Sequence, residues 1–80
     1  MSQVTIYTKD YCPFCVKAKA LLKRKGFTDI IEIDITNNEE LQQEMITKSG
    51  GRRTVPQIFI NNESIGGCDD LYALETAGKL

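Results

Sequence analysis

The amino-acid sequence predicts a small α/β protein with element order βαβαββα and a mixed four-stranded sheet flanked by three helices. Segments with apolar residues at every second position alternate with segments whose apolar residues recur at helical spacing. A βαβ unit followed by a two-residue turn also combines parallel with antiparallel strand pairing. The chain has 80 residues, of which 41% are hydrophobic and 26% charged. We therefore expect one globular domain covering residues 1–80.

The first strand and the first helix have clear local signals. Residues 4–7 are β-branched or aromatic, which favours a strand. From Pro13 to about Lys25 the apolar positions form one helical stripe, with Lys and Arg on the other side. Pro13 suits the first helical position, and Gly26 suits the residue after the last turn. The predicted stripe consists of Phe14, Cys15, Ala18, Leu21 and Leu22.

The second strand and the second helix follow the same logic. Ile31, Ile33 and Ile35 alternate with acidic residues, a pattern typical of a strand. Asn37, with Glu40 three residues later, predicts a capped helix start, and residues 49–51 (Ser-Gly-Gly) predict its end.

The last third of the chain predicts a hairpin and a final helix. Residues 57–60 read as a third strand, and Asn61-Asn62 is a two-residue hairpin signal leading into residues 63–65. Asp69 or Asp70 is expected to cap the last helix, which Gly78 ends.

Composition excludes several functions. Ten Lys and Arg stand against eleven Asp and Glu, so we expect no nucleic-acid partner. The chain has no His, which excludes Ser-His-Asp hydrolysis and His-ligated metal sites. Neither a signal peptide nor a stretch long enough to cross a bilayer is visible. We therefore expect no membrane association and a cytoplasmic location, where a close Cys pair is more often catalytic or metal-binding than structural.

The motif Cys12-Pro13-Phe14-Cys15 carries the strongest chemical signal. It follows a strand and opens a helix, so Cys12 is expected at the N-cap, where the helix dipole and free N–H groups favour a thiolate. Lys9 adds positive charge nearby. Cys15 lies on the apolar stripe, so we expect Cys12 to attack a disulfide and Cys15 to resolve the intermediate. The alternatives are two small buried apolar residues or a zinc site, which needs four ligands.

The chain resembles the small dithiol glutaredoxins of the bacterial type. The resemblance covers essentially the whole sequence and rests on four segments in order: Tyr7-Thr8-Lys9, Cys12-Pro13-Phe14-Cys15, Thr54-Val55-Pro56-Gln57 and Gly66-Gly67-Cys68-Asp69-Asp70. It implies a thioredoxin fold and a glutathione-dependent disulfide oxidoreductase with no permanently bound cofactor or metal. The implied partners are glutathione and proteins that contain a disulfide or are glutathionylated. Ribonucleotide reductase is one of these implied protein partners. We expect a monomer.

A glutathione site is expected along the later segments. The Val55–Pro56 bond favours trans from sequence alone, but the resemblance implies cis, opposite Cys12. Glutathione has two carboxylates and an ammonium group, for which Lys9 and Arg52 offer charge and the backbone at Gly67 offers N–H groups. The full predicted binding set is Lys9, Phe14, Arg52, Thr54, Val55, Pro56, Gly67, Cys68 and Asp69.

Several of these residues have a plainer interpretation. Asp69 and Asp70 could serve only as helix caps. Cys68 could be a small residue at a tight turn, or the site of a mixed disulfide. The five basic residues between Lys17 and Lys25 could form a solvated face or steer anionic partners.

Two other functions stay open at this stage. Some glutaredoxins that resemble this chain share a [2Fe–2S] cluster between two protomers, using the residue equivalent to Cys12 and glutathione. Pro13 argues against that role, because cluster-binding relatives often lack it. A redoxin reduced by thioredoxin reductase is the other alternative.

Overall fold

The structure, a computed structural model, describes residues 2–80. Its elements are β1 (Gln3–Thr8), α1 (Pro13–Arg24), β2 (Asp29–Asp34), α2 (Glu39–Lys48), β3 (Gln57–Ile60), β4 (Glu63–Gly66) and α3 (Cys68–Thr76). The order βαβαββα is the predicted one. Within this described range, no helix is long and apolar enough to cross a membrane.

The sheet has the predicted mixed pairing. Its strands lie in the order β2-β1-β3-β4. The β1 and β2 strands are parallel, with Val4 opposite Ile30, whereas β3 is antiparallel to both β1 and β4. The crossover through α1 connects β1 to its parallel neighbour β2. As a result, β1, whose end leads into the Cys12 motif, is an inner strand of the sheet.

Each face of the sheet packs on a separate apolar cluster. Val4, Ile6 and Ile58 contact the buried residues of α1 and α3. On the opposite face Tyr7 and Phe59 pack with Met45 of α2, and the Tyr7 and Phe59 rings meet edge to face at 5.7 Å between centroids. Because successive side chains along β1 and β3 point to opposite faces of the sheet, these strands contribute residues to both apolar clusters.

The Asn61-Asn62 hairpin is confirmed. Both residues have positive φ, 51° and 67°, as a two-residue turn of this twist requires. Asparagine tolerates this conformation better than most residues. The Asn61 N–H donates to the Gln3 carbonyl at 2.8 Å, and the Gln3 N–H donates to the Asn61 side chain at 3.0 Å. The turn therefore also fixes the start of β1.

Two predicted helix starts are wrong, by one residue for α2 and by two or three for α3. The N-cap of α2 is Asn38, whose side chain accepts from the Leu41 N–H at 3.0 Å. Asn37 has φ 54° and belongs to the preceding turn. The N-cap of α3 is Gly67, so Asp69 and Asp70 lie inside the first turn. For α2 the sequence offers two neighbouring asparagines able to cap, and only the backbone path selects one. For α3 the helix begins before both predicted aspartates, and the Asp70 side chain instead accepts from the Gly67 N–H.

The stripe of α1 is confirmed except at its first residue. Cys15, Ala18, Leu21 and Leu22 are buried, but Phe14 is 57% exposed. Phe14 lies in the first turn of α1. Gly26 follows the helix with φ 92°, as predicted for a residue after the C-cap.

Several cations of α1 have partners. Lys19 and Lys25 pair with Glu32 and Glu75 at 3.0 and 3.1 Å. The Lys17 ammonium lies 4.7 Å from the centre of the Tyr72 ring. These contacts support a structural role for part of the basic face.

Replacing Tyr7 with Phe is expected to lower the free energy of unfolding by about 1 kcal/mol. The Tyr7 hydroxyl donates to Glu44 at 2.8 Å, and burial and this carboxylate raise the pKa of Tyr7 from 10.0 to about 12. Between these values the unfolded chain loses the proton and the native one keeps it, so stability falls as pH rises. Urea unfolding measured from neutral to alkaline pH should show a shallower decline in the free energy of unfolding for Tyr7→Phe than for the unchanged protein. An unchanged decline would contradict this assignment.

Candidate active site

Cys12 and Cys15 form a disulfide at the start of α1. Cys12 is the N-cap, with extended backbone (φ −112°, ψ 94°), and its sulfur accepts from the Cys15 N–H at 3.1 Å. The Cα atoms of the pair are 5.1 Å apart. Cys12 is half-buried whereas Cys15 is only 2% exposed. The predicted difference in access between the two sulfurs is therefore present.

The loop before Cys12 is held by contacts with the segment after β2. The Asp10 N–H donates to the Thr36 hydroxyl at 2.8 Å, and the Ile35 N–H donates to the Thr8 carbonyl at 2.8 Å. Tyr11 then has φ 53°, which turns the chain so that Cys12 begins the helix. The side chain of Tyr11 is fully exposed. The position of Cys12 is therefore set by the backbone on both sides.

This position suits nucleophilic chemistry at Cys12. The first N–H groups of a helix have no intrahelical carbonyl partner, and the dipole places partial positive charge there. A thiolate is stabilised in that setting and is the nucleophile in disulfide exchange. Cys15, one turn inside the helix, can reach the Cys12 sulfur but is shielded from a large substrate. The pair can therefore take up and release a disulfide.

A groove lies beside Cys12 between the segment before β3 and the start of α3. The Cys12 sulfur is 4.0 Å from the Val55 carbonyl oxygen at one edge of it, and the Val55–Pro56 bond is cis, as the resemblance implies. The groove has a volume of about 170 Å³ and is lined by Phe14, Arg52, Thr54, Val55, Pro56, Gly67, Cys68, Asp69 and Asp70. The fold thus brings together all of the predicted binding residues except Lys9.

Asp70 links the two walls of this groove. One of its oxygens, Oδ2, accepts from the Gly67 N–H at 2.9 Å and lies 3.1 Å from Nη1 of Arg52. The hydrogen bond from Gly67, followed by that from Arg52, holds the pKa of Asp70 below its usual value, although burial opposes the shift. The carboxylate is therefore charged at neutral pH and keeps Arg52 at the groove.

Lys9 is not among the residues that line the groove. It is exposed and lines a second depression, which also contains Cys12 and Cys15. The structure thus places Lys9 in one depression with the reactive pair. Its predicted contact with glutathione stays a prediction.

Cys68 is a free, buried thiol at the first position of α3. Burial raises the pKa of Cys68, while Lys17 opposes and Asp69 adds to that shift. It is therefore a thiol at neutral pH and contributes a small wall to the groove. The structure is consistent with the turn-residue interpretation and does not require a reactive role.

Two positioning contacts were not predicted from the sequence. The link from Asp70 to Arg52 joins segments far apart in the chain. Gln57 is fully buried in β3, and its amide nitrogen donates to the Thr54 carbonyl at 3.0 Å and to the Thr54 hydroxyl at 3.2 Å. A polar residue inside an apolar strand is a signal that could have identified Gln57.

Metal ligands do not gather in the described part of the chain. Over residues 2–80, no group of three or more His, Cys, Asp or Glu side chains is arranged to hold a metal ion.

The four-stranded mixed sheet, the three helices and an N-capping Cys joined to a buried Cys define a thiol–disulfide oxidoreductase of the thioredoxin fold. Comparison with known proteins then specifies the family. A family profile described as Glutaredoxin matches residues 4–65. Glutaredoxin 3 of Escherichia coli strain K12 is 55% identical over 80 residues, covering 100% of this chain and 94% of the relative.

Solved structures of glutaredoxins also match this chain. The solution structure of glutaredoxin from Brucella melitensis matches with a TM-score of 0.80 and 56% identity, covering 96% of this chain and 82% of that one. A buckwheat glutaredoxin–glutathione complex matches with a TM-score of 0.85 and 29% identity, covering 99% and 73%. The chain belongs to the glutaredoxin family. It is a glutathione-dependent disulfide oxidoreductase.

Proposed function

We propose that Cys12 is the attacking residue and that two reactions start from it. The observation that carries this proposal is the difference between the half-buried N-capping sulfur of Cys12 and the buried sulfur of Cys15. With a protein–glutathione disulfide, the Cys12 thiolate attacks the glutathionyl sulfur. The protein leaves as a thiolate, which takes up a proton. A second glutathione then attacks the Cys12 mixed disulfide and releases oxidised glutathione.

With a protein disulfide, Cys15 completes the reaction. Cys12 first forms a mixed disulfide with one sulfur of the target. Cys15 then attacks Cys12, so the Cys12–Cys15 disulfide forms and the target leaves as a dithiol. Two glutathione molecules supply the two electrons that restore the enzyme. Disulfide proteins of a reducing cytoplasm, ribonucleotide reductase among them, are the proposed targets of this single 80-residue domain.

We place glutathione in the groove beside Cys12. Val55 is half-buried and lines the groove, and its backbone offers pairing groups to an extended tripeptide, as in strand addition. The N–H groups of Cys68 and Asp69 open α3 and suit a carboxylate, and Arg52 adds a cation. The related buckwheat protein was solved as a glutathione complex, which supports this placement.

A coupled assay tests the proposal. The chain is supplied with a disulfide substrate and either glutathione with glutathione reductase or thioredoxin reductase alone, and NADPH consumption is followed. We expect turnover only with the glutathione system. Turnover with thioredoxin reductase alone would favour the alternative redoxin function and would overturn the assignment of glutathione as reductant.

A further inference from the structure

A second depression borders the reactive pair and shares no lining residue with the glutathione groove. It has a volume of about 410 Å³, and both Cys12 and Cys15 line it. The reaction as proposed above assigns no role to its polar residues. Its charged and titratable members come from the loop after β1, from α1 and from β2, and they are Lys9, Asp10, Tyr11, Lys19, Glu32 and Asp34.

Lys19 is the cation with a fixed position among these groups. Its ammonium lies 3.0 Å from Oε1 and 3.1 Å from Oε2 of Glu32, so both carboxylate oxygens hold it. Oε2 also accepts from the buried hydroxyl of Thr8 at 3.0 Å. The hydrogen bond from Lys19, more than that from Thr8, holds the pKa of Glu32 below its usual value, against the effect of burial. The Glu32 carboxylate is therefore charged at neutral pH.

Lys19 follows Cys15 by four residues on α1, so the two side chains are neighbours on one face of the helix. The Cβ atoms of such pairs lie about 5–6 Å apart. Cys15 is 2% exposed, and burial disfavours the thiolate that it must form in order to attack. A nearby fixed cation offsets part of that cost.

We propose that Lys19, held by Glu32 and Thr8, stabilises the Cys15 thiolate and thereby sets the rate at which Cys15 resolves the Cys12 mixed disulfide. This inference rests on the resolving role proposed for Cys15. In the step concerned, the Cys15 thiolate attacks the Cys12 sulfur, the Cys12–Cys15 bond forms, and the bond from Cys12 to the target sulfur breaks. The target sulfur leaves with the electron pair and takes a proton from solvent.

The proposal gives opposite signs for two variants that break the same ion pair. Lys19→Met removes the cation and leaves the Glu32 carboxylate near Cys15, so the thiolate is disfavoured. Glu32→Gln removes the anion and leaves Lys19 unopposed, so the thiolate is favoured. If the ion pair had only a structural role, breaking it would shift the Cys15 thiolate fraction in the same direction in both variants.

The test measures the Cys15 thiol directly. In a Cys12→Ser, Cys68→Ser background Cys15 is the one remaining thiol, and its thiolate absorbance is recorded against pH. We expect about a tenfold lower thiolate fraction near neutral pH for Lys19→Met and a higher one for Glu32→Gln. Lys19→Arg should restore the original curve. Lys23→Met, an exposed residue outside the depression, is the matched control and should leave the curve unchanged.

A kinetic measurement completes the test in the chain with all three cysteines. The mixed disulfide on Cys12 is preformed and the release of its target is followed in single turnover. Because a less acidic thiol is also the better nucleophile once ionised, we expect Lys19→Met to slow release only about threefold. If the Cys15 thiolate fraction shifted in the same direction in Lys19→Met and Glu32→Gln, or shifted in neither, the proposal would be overturned. Failure of Cys12 to form the mixed disulfide would instead overturn the proposed function. The Cys15 titration involves no mixed disulfide, so it distinguishes failure of the inference about Lys19 from failure of the proposed function.

Discussion

Cys12→Ser is expected to abolish the reduction of both protein disulfides and glutathionylated proteins, whereas Cys15→Ser is expected to lose only the former. Cys12 caps α1 and presents its sulfur to the groove beside Val55. A serine hydroxyl at that place stays protonated at neutral pH and is a poor nucleophile. Cys15 is buried and acts only on the Cys12 intermediate, so removal of glutathione from a protein needs only Cys12.

Two substrates are compared to test this expectation. One is a glutathionylated protein and the other a protein with an intramolecular disulfide, each assayed with glutathione and glutathione reductase. Lys23→Met serves as the control, because Lys23 is exposed and lines neither the groove nor the depression beside the disulfide. Retention of full activity on glutathionylated protein by Cys12→Ser would refute the assignment of the attacking residue.

Gly66→Ala is expected to lower the free energy of unfolding by about 3 kcal/mol, a large share of the total for a domain of this size. Gly66 has φ 114°, a conformation that other residues rarely adopt. A Cβ atom there would lie 2.7 Å from Nη1 of Arg52 and would also collide with the Asp70 carboxylate. The substitution therefore strains the backbone and separates the ion pair that joins the groove walls.

Denaturant unfolding and the KM for a glutathionylated substrate measure these two effects. Gly50→Ala is the matched control: its φ is also positive, 76°, but no atom lies within 4 Å of the added Cβ. We expect the control to lose only about 1 kcal/mol, without a change in KM. If Gly66→Ala and Gly50→Ala lowered the free energy of unfolding equally and left KM unchanged, contact of the added Cβ with Arg52 and Asp70 would have no effect.

The sequence predicted the parts of the molecule that depend on neighbouring residues. The N-cap position of Cys12 follows from a strand, a short turn and Pro13, all within ten residues of each other. The hairpin follows from two adjacent asparagines. The groove was predicted because the family resemblance joined segments that local patterns leave separate.

The parts that were missed depend on the path of the chain in space. Either of two asparagines could cap α2, and an apolar stripe alone does not show that Phe14 at its start is exposed. The contact from Asp70 to Arg52 and that from Lys19 to Glu32 each connect different elements. Charged residues are so common on helices that no spacing rule selects these pairs.

The Cys12–Cys15 disulfide lies within a single turn of one helix, with only two residues between its ends. A crosslink of that span removes little freedom from the unfolded chain. Neither apolar cluster depends on it for its shape, since the sheet and the three helices meet through other side chains. Forming or breaking the bond is therefore expected to leave the fold in place, so the oxidised and reduced forms of the enzyme share one architecture and differ by two electrons.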